Sequence, residues 1–149
     1  TSNGFKHYEI SNFAKPGFES KHNLIYWNVG PYIGLGAGAH SYLNGKRYNN
    51  EENPEKYISQ IFEGNIPKKD VIILSKQDNI SEYLFLGLRL IKGIEIEEFN
   101  CIFGKNLFEL YQEKIDNLIK RKLVNIENGY LKLTSLGLDL ANQVFVEFI

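Results

Sequence analysis

The sequence predicts an α+β protein in two parts: strands and loops over residues 1–70, then a winged-helix-like domain over residues 71–149. Three observations carry this. From Ser75 onward, capped amphipathic segments surround one hairpin signal, Asn128-Gly129. Before residue 70 the apolar residues follow no sustained helical period, and Gly, Pro and Asn punctuate short β-prone runs. Between the two parts, "NIPKKDVIIL" (65–74) reads as a connector and the best place for a boundary.

The elements follow in order. "HYEIS" reads as a short strand closed by a turn at Lys15-Pro16-Gly17. Residues 18–30 are loop-like with at most one helical turn. "PYIGLGAGAHSYL" (31–43) reads as a strand, since Tyr32, Ile33 and Leu35 favour β structure, and Asn44-Gly45 turns it into "KRYNN". Asn53 as N-cap, Pro54 at the first helical position and Gly64 at the end delimit a short helix. Ser75 and Asp78 form a capping box for a helix to about Lys92, with Ile80, Leu84, Gly87, Leu88 and Ile91 on one face and Gly93 ending it. A helix over about Glu97–Phe103 stops at Gly104. Asn106 caps a long helix to about Lys122, with Phe108, Tyr111, Ile115 and Leu118 inward. The hairpin around Asn128-Gly129 forms the wing. A last helix carries Leu138, Ala141, Phe145 and Phe148 on one face.

Composition excludes several classes. The 149 residues suffice for one ordinary domain, or a small domain plus part of another. The net charge is −1, so no basic footprint for nucleic acid exists. The half from residue 80 carries eight basic against ten acidic residues, and the wing tip Glu127-Asn128-Gly129 has nothing to meet a phosphate, which argues against DNA binding by the winged helix. No apolar run reaches the roughly 18 residues that span a bilayer. Cys101 is the sole cysteine, so a reducing cytoplasm is expected, with Cys101 as a buried free thiol. Methionine is absent, and the chain opens on Asn3-Gly4, a pair that commonly ends a helix. The chain therefore reads as the C-terminal part of a longer protein.

The segment "SKHNLIYWNVGPYIGLGAGAH" (20–40) holds the chemistry-bearing residues. His22 and His40 are each either hydrogen-bonded structural histidines or ligands of a metal or heme. The neighbouring Tyr26, Trp27 and Tyr32 offer faces on which a flat ring stacks, and Asn23 is placed to orient the His22 imidazole. His7 has nothing site-like around it. "GLGAGA" (34–39) satisfies a dinucleotide fingerprint, but no helix follows to meet a pyrophosphate. Gly36, Gly38 and Ala39 read instead as a tightly packed sheet position or as the close approach of a flat ligand to backbone. Arg89, on the apolar "YLFLGLRL" run, is expected to pair with an acidic neighbour, with anion binding as the alternative.

Taken together, "YEISNFAKPGFESKHNLIYW", "YIGLGAGAHSY", "EYLFLGLRLIKGI", "LTSLG" and "ANQVF" resemble the C-terminal half of the HemW-like heme chaperones. These lie within the radical S-adenosylmethionine family of oxygen-independent coproporphyrinogen III oxidases. The His22-Asn23-x-x-Tyr26-Trp27 pattern resembles the chaperone branch rather than the oxidase branch. The resemblance implies that the first part is the terminal strands of a partial (β/α) radical-SAM barrel. It implies a 4Fe-4S cluster and S-adenosylmethionine in the full-length protein, held by cysteines that this chain lacks, so that the chain alone is inactive. It implies heme as ligand, with His22 on the heme iron and Asn23, Tyr26, Trp27, Gly36, Gly38, Ala39 and His40 around the pocket. Heme-accepting apoproteins are the implied partners, with peripheral membrane contact only through them. An oxidase that decarboxylates coproporphyrinogen III and a non-catalytic interaction module are the alternatives. Strands cut from a barrel present open edges, so a dimer is expected.

Overall fold

A computed structural model describes residues 3–149. The chain forms two compact units, one from the residues up to Val29 together with Ile80–Ile149, the other from Gly30–Asn79.

The first unit opens with an antiparallel hairpin, β1 (Lys6–Glu9) and β2 (Asn12–Ala14). Its bend is closed by Glu9, whose Oε1 accepts from the Ser11 N–H at 3.2 Å and from the Asn12 amide. Strand β1 does not lack partners. Beside β2, it gains a bridge from Glu9 to Leu90, with Ile10 N–H donating to Arg89 O at 3.0 Å and Ile91 N–H to Tyr8 O at 3.2 Å. The open edge expected at "HYEI" is thus closed within the chain. Helix α1 (Lys21–Trp27), about two turns long, is longer than the single helical turn expected within residues 18–30. It buries no residue fully, so its sequence shows no apolar stripe, and its start is set by Ser20, whose Oγ accepts from Asn23 N–H at 3.4 Å.

The second unit is a three-stranded antiparallel sheet, β3 (His40–Leu43), β4 (Lys46–Asn50) and β5 (Lys68–Ile73), in that order, with α2 (Pro54–Phe62) between β4 and β5 in sequence. The Asn44-Gly45 turn has both residues at positive φ, 53° and 70°, as a two-residue hairpin requires. Asn53 Oδ1 caps α2 through Lys56 N–H at 2.9 Å. Two expectations fail here. The strand expected over residues 31–43 is only its last four residues. Tyr32 makes an isolated bridge to Tyr42, and 33–39 is a loop, because Gly36 and Gly38 adopt φ of 107° and 68°, which no strand accommodates. The supposed connector is β5: alternation is hidden because every residue of this edge strand is exposed.

The remainder of the first unit holds the core. Helix α3 (Lys76–Gly87), whose residues from Ile80 belong to this unit, begins at the expected Ser75–Asp78 capping box. It ends five residues before Lys92. The chain tightens at Leu86–Leu90 through Arg89 N–H to Leu86 O and Leu90 N–H to Gly87 O, then runs straight as the partner of Tyr8–Ile10. Strand β6 (Ile94–Glu95) leads into α4 (Ile96–Phe103), which Gly104 terminates in the left-handed conformation. Helix α5 (Leu107–Lys120) starts at Asn106 as expected and is kinked at Tyr111. Strands β7 (Val124–Glu127) and β8 (Tyr130–Leu133) form the hairpin, with β6 adding a third strand beside β8. The last helix is broken at Leu140 into α6 (Ser135–Asp139), α7 (Ala141–Phe145) and a 3₁₀ turn. Ile80, Leu84, Phe99, Leu107, Ile115, Leu118, Leu131 and Phe148 are among the sealed core residues. Cys101 is exposed, not buried. Two positions along α4 from the sealed Phe99, it is turned some 200° away from the core. Among the described residues no helix is long and apolar enough to cross a membrane.

The start of α6 docks on the turn between α5 and β7: Thr134 N–H donates to Leu123 O at 3.0 Å, and Thr134 Oγ1 accepts from Gly137 N–H at 3.0 Å. A Cβ at Gly137 would overlap the Leu123 carbonyl. Gly137→Ala is therefore expected to cost about 3 kcal/mol, the upper end of overpacking penalties, read as a lowered urea midpoint by far-UV circular dichroism.

Candidate functional site

Helix α1 carries four of the eight expected site residues. The His22 imidazole is exposed and makes no hydrogen bond among the described residues; its ring meets Tyr26 edge-on, with centroids 4.7 Å apart. The pair is one turn apart, so they share a helix face. Asn23 does not reach the imidazole: its backbone N–H closes the Ser20 cap instead. An unengaged, solvent-facing imidazole beside an aromatic ring has its lone pair free for a metal. His7 is the contrast. Its Nε2 lies 3.1 Å from Ile10 O and its ring stacks on Phe13 at 4.3 Å, a satisfied structural histidine.

Trp27 ends α1 in a different environment. The Arg89 guanidinium lies 4.3 Å from the centroid of its ring. Trp27 also forms a wall of a pocket of about 100 Å³ with Tyr83, Gly87, Ile94, Glu95 and Glu98. That volume admits a few waters but is well below the ~300 Å³ at which ligand pockets begin, so no macrocycle enters it. Its rim is polar and locked. Tyr130 donates to Glu95 at 2.8 Å, which raises the phenol above its usual value. Tyr83 is raised further, by burial first and then by the Glu98 carboxylate.

The other four expected residues, Gly36, Gly38, Ala39 and His40, belong to the second unit. Gly36, Gly38 and Ala39 form a hydrogen-bonded loop rather than a strand, and His40 opens β3. Asn50, buried, donates from one amide nitrogen to Gly34 O at 3.1 Å and Gly36 O at 2.9 Å. The loop amides are also engaged: Gly34 N–H to Ser41 Oγ at 3.0 Å, Gly36 N–H to Tyr57 OH at 3.2 Å, and Gly38 N–H to Glu51 O at 3.0 Å. A phosphate cradle needs such donors free, so the dinucleotide fingerprint is spurious here. A side chain at Gly34 would run into the His40 carbonyl. The loop presents Leu35, 87% exposed, and the exposed His40 to solvent. Asn50, Ser41 and Tyr57 were not singled out from the sequence, because a buried Asn looks like any other until its partners are known.

A cluster site does not fit these residues. Among the described residues no three His, Cys, Asp or Glu side chains converge on a point that would hold a metal ion, and Cys101 is the sole cysteine. A 4Fe-4S cluster needs cysteine thiolates.

Residues 74–140 match the family described as HemN C-terminal domain. Along nearly its whole length the chain is similar to the heme chaperone HemW of Lactococcus lactis subsp. lactis (strain IL1403), 42% identical over 148 residues covering 99% of this chain and 38% of the relative. It is also similar to the heme chaperone HemW of Bacillus subtilis (strain 168), 38% identical over 148 residues covering 99% of this chain and 39% of the relative. The fold is similar to that of coproporphyrinogen III oxidase (HemN) from Escherichia coli, a radical SAM enzyme, with a TM-score of 0.75 at 16% identity over 99% of this chain and 37% of that one. The chain thus spans less than two fifths of the length of each.

Because one Asn50 amide nitrogen holds two loop carbonyls, Asn50→Ala strips both at once. Buried acceptors left without donors cost about 1–3 kcal/mol. The expected outcome is a loss of stability in that range together with faster protease cleavage within residues 33–39. Cleavage unchanged from the unaltered protein would show that the loop is held by other means.

Proposed function

From a chain that is HemW-like along its length, we propose that the full-length protein binds heme and passes it to heme-accepting apoproteins, with His22 as the iron ligand. The observation that carries this is the state of His22: exposed, without a hydrogen bond among the described residues, on a capped helix and flanked by Tyr26. Neutral imidazole binds heme iron through one ring nitrogen. Tyr26 restricts the imidazole's rotation, and the Ser20 cap holds the helix start, so the ligand is presented with little rotamer freedom to lose. Asn23 supports the site through the cap rather than through the ring. His40, Gly36, Gly38 and Ala39 form the second part of the reading, as a stiff backbone wall that a flat ligand approaches.

The finer architecture belongs to the same reading: residues 1–70 as the last strands of a partial (β/α) barrel and 71–149 as a winged-helix-like cover. S-adenosylmethionine and a 4Fe-4S cluster belong to the full-length protein, outside this chain, in the cytoplasm. The chain by itself is not catalytic. Contact with a membrane arises only through heme acceptors, and self-association is tested directly by light scattering.

Titration of heme into full-length protein, followed by the Soret band, tests the ligand assignment. His22→Ala is expected to weaken heme binding at least about tenfold, since loss of even a supporting partner of a metal ligand costs 10–100-fold, and to change the band position. His40→Ala is expected to weaken binding without moving the band. An unchanged band and affinity in His22→Ala would remove His22 as ligand. Treatment of the present chain with iron and sulfide is expected to yield no stoichiometric cluster absorbance; stable incorporation would overturn the assignment of the cluster to the remainder of the protein.

A further inference from the structure

Helix α1 has two unlike sides. At about 100° per residue, Leu24 and Trp27 fall about 160° and 140° from His22, on the far side of the helix. Both are half-buried, and the Trp27 ring is taken by the Arg89 guanidinium, 4.3 Å from its centroid and 5.9 Å from that of Phe145. Rings thus stand where an acidic partner was expected for Arg89: among the described residues no ion pair joins it to a carboxylate. Trp27 therefore offers no stacking face to a ligand at His22. On the near side, Ile25 lies about 60° to one flank of His22 and Tyr26 about 40° to the other. Three and four positions on, they are its neighbours on the helix surface. Ile25 is 41% exposed. The core makes no use of it: it belongs neither to the buried cluster nor to the partly buried residues packed on that cluster. A β-branched side chain is also a poorer helix former than Leu, Lys or Glu, on a helix of only seven residues. A lone exposed isoleucine needs no explanation. This one shares its face with an imidazole that makes no hydrogen bond among the described residues.

We infer that Ile25 is a further binding residue of the tetrapyrrole site, its side chain lying against the porphyrin face whose iron His22 ligates, across the imidazole from Tyr26. This rests on the reading of His22 as iron ligand. An imidazole that ligates through a ring nitrogen stands upright on the porphyrin, so side chains flanking it on the same helix face meet the macrocycle from below. The macrocycle is flat and apolar, and covering Ile25 removes from water the area that the fold leaves exposed. Tyr26 meets His22 edge-on, with centroids 4.7 Å apart and planes at 86°, and orients the ligand; Ile25 supplies apolar contact to the ring system. The two contributions are separable by chemistry. His22 acts on the iron and Ile25 on the macrocycle, so a porphyrin without iron keeps the second and lacks the first.

The test uses full-length protein titrated with heme, read by the Soret band, and with metal-free protoporphyrin, read by porphyrin fluorescence. Ile25→Ser is expected to weaken both ligands about three- to eightfold, what covering a side chain 41% exposed is worth, and to leave the heme band where it is. Ile25→Thr, which keeps the branch at Cβ, is expected to weaken both in the same way, and Ile25→Leu to retain most of the affinity. His22→Ala is expected to weaken heme and shift its band while leaving protoporphyrin nearly unchanged. Phe62→Ser, which removes an apolar side chain 87% exposed on α2, is expected to change neither. Circular dichroism melting of each variant separates misfolding from loss of contact. If the Ile25 variants bind both ligands as unaltered protein does while His22→Ala loses its Soret signature, the ring contact is wrong and the iron-ligand reading stands. If His22→Ala binds heme with unchanged band and affinity, both fall. If Phe62→Ser weakens protoporphyrin as much as Ile25→Ser does, the porphyrin adsorbs to exposed apolar surface at large and the assignment of Ile25 is overturned.

Discussion

The bridge between Glu9 and Leu90 is the contact on which the first unit depends. Two backbone hydrogen bonds, one each way between Tyr8–Ile10 and Arg89–Ile91, join segments about eighty residues apart in sequence. They explain why α3 stops at Gly87 rather than Lys92: residues 89–91 cannot be both helix and strand partner. They fix Arg89 at the point where the chain turns, and so place it against Trp27 at the end of α1. They also bring a carboxylate, Glu9, wholly out of solvent. A buried carboxylate normally demands full pairing, and half of this one is satisfied by the hairpin that it helps to close.

Much of the helical half was legible because its signals are local. Ser75, Asn53 and Asn106 cap the helices they were expected to cap, and Asn128-Gly129 turns the wing. What stayed hidden was set by distant contacts. The break at Leu140 leaves the apolar period of the last segment intact, so periodicity could not reveal it. Strand β6 is two residues long and exists only because β8 lies beside it. Cys101 is exposed because its phase on α4 turns it from the core, which residue type alone does not reveal. Of the candidate site, His22 stands out in the sequence by its aromatic neighbours. That its imidazole makes no hydrogen bond among the described residues, and that Trp27 is stacked on Arg89, are facts of packing.

The glycine-rich segment shows how one composition supports opposite structures. Small residues at 34–39 fit a pleated strand, a phosphate loop, or a compact turn. Asn50 decides among them, since one buried amide nitrogen holds two carbonyls, of Gly34 and Gly36, that a strand would set about 6.6 Å apart, too far for one donor to bond both. With Ser41, Tyr57 and Glu51 taking the loop amides, the segment is rigid through hydrogen bonds and not through burial. That suits a wall against which something else is positioned, and it leaves Leu35 and His40 outward.

Trp27 is the sole tryptophan of the chain, and nine tyrosines accompany it. Its indole N–H is sealed and its ring lies against a cation. Excited at the red edge, where tyrosine does not absorb, the molecule therefore emits from one chromophore whose colour is set by the absence of water at that N–H and by the charge above the ring. Displacing Arg89, or supplying an acceptor to the indole, alters that light directly. The native sequence thus carries an unlabelled optical reporter, fast enough to time events at the end of α1 that equilibrium binding averages away.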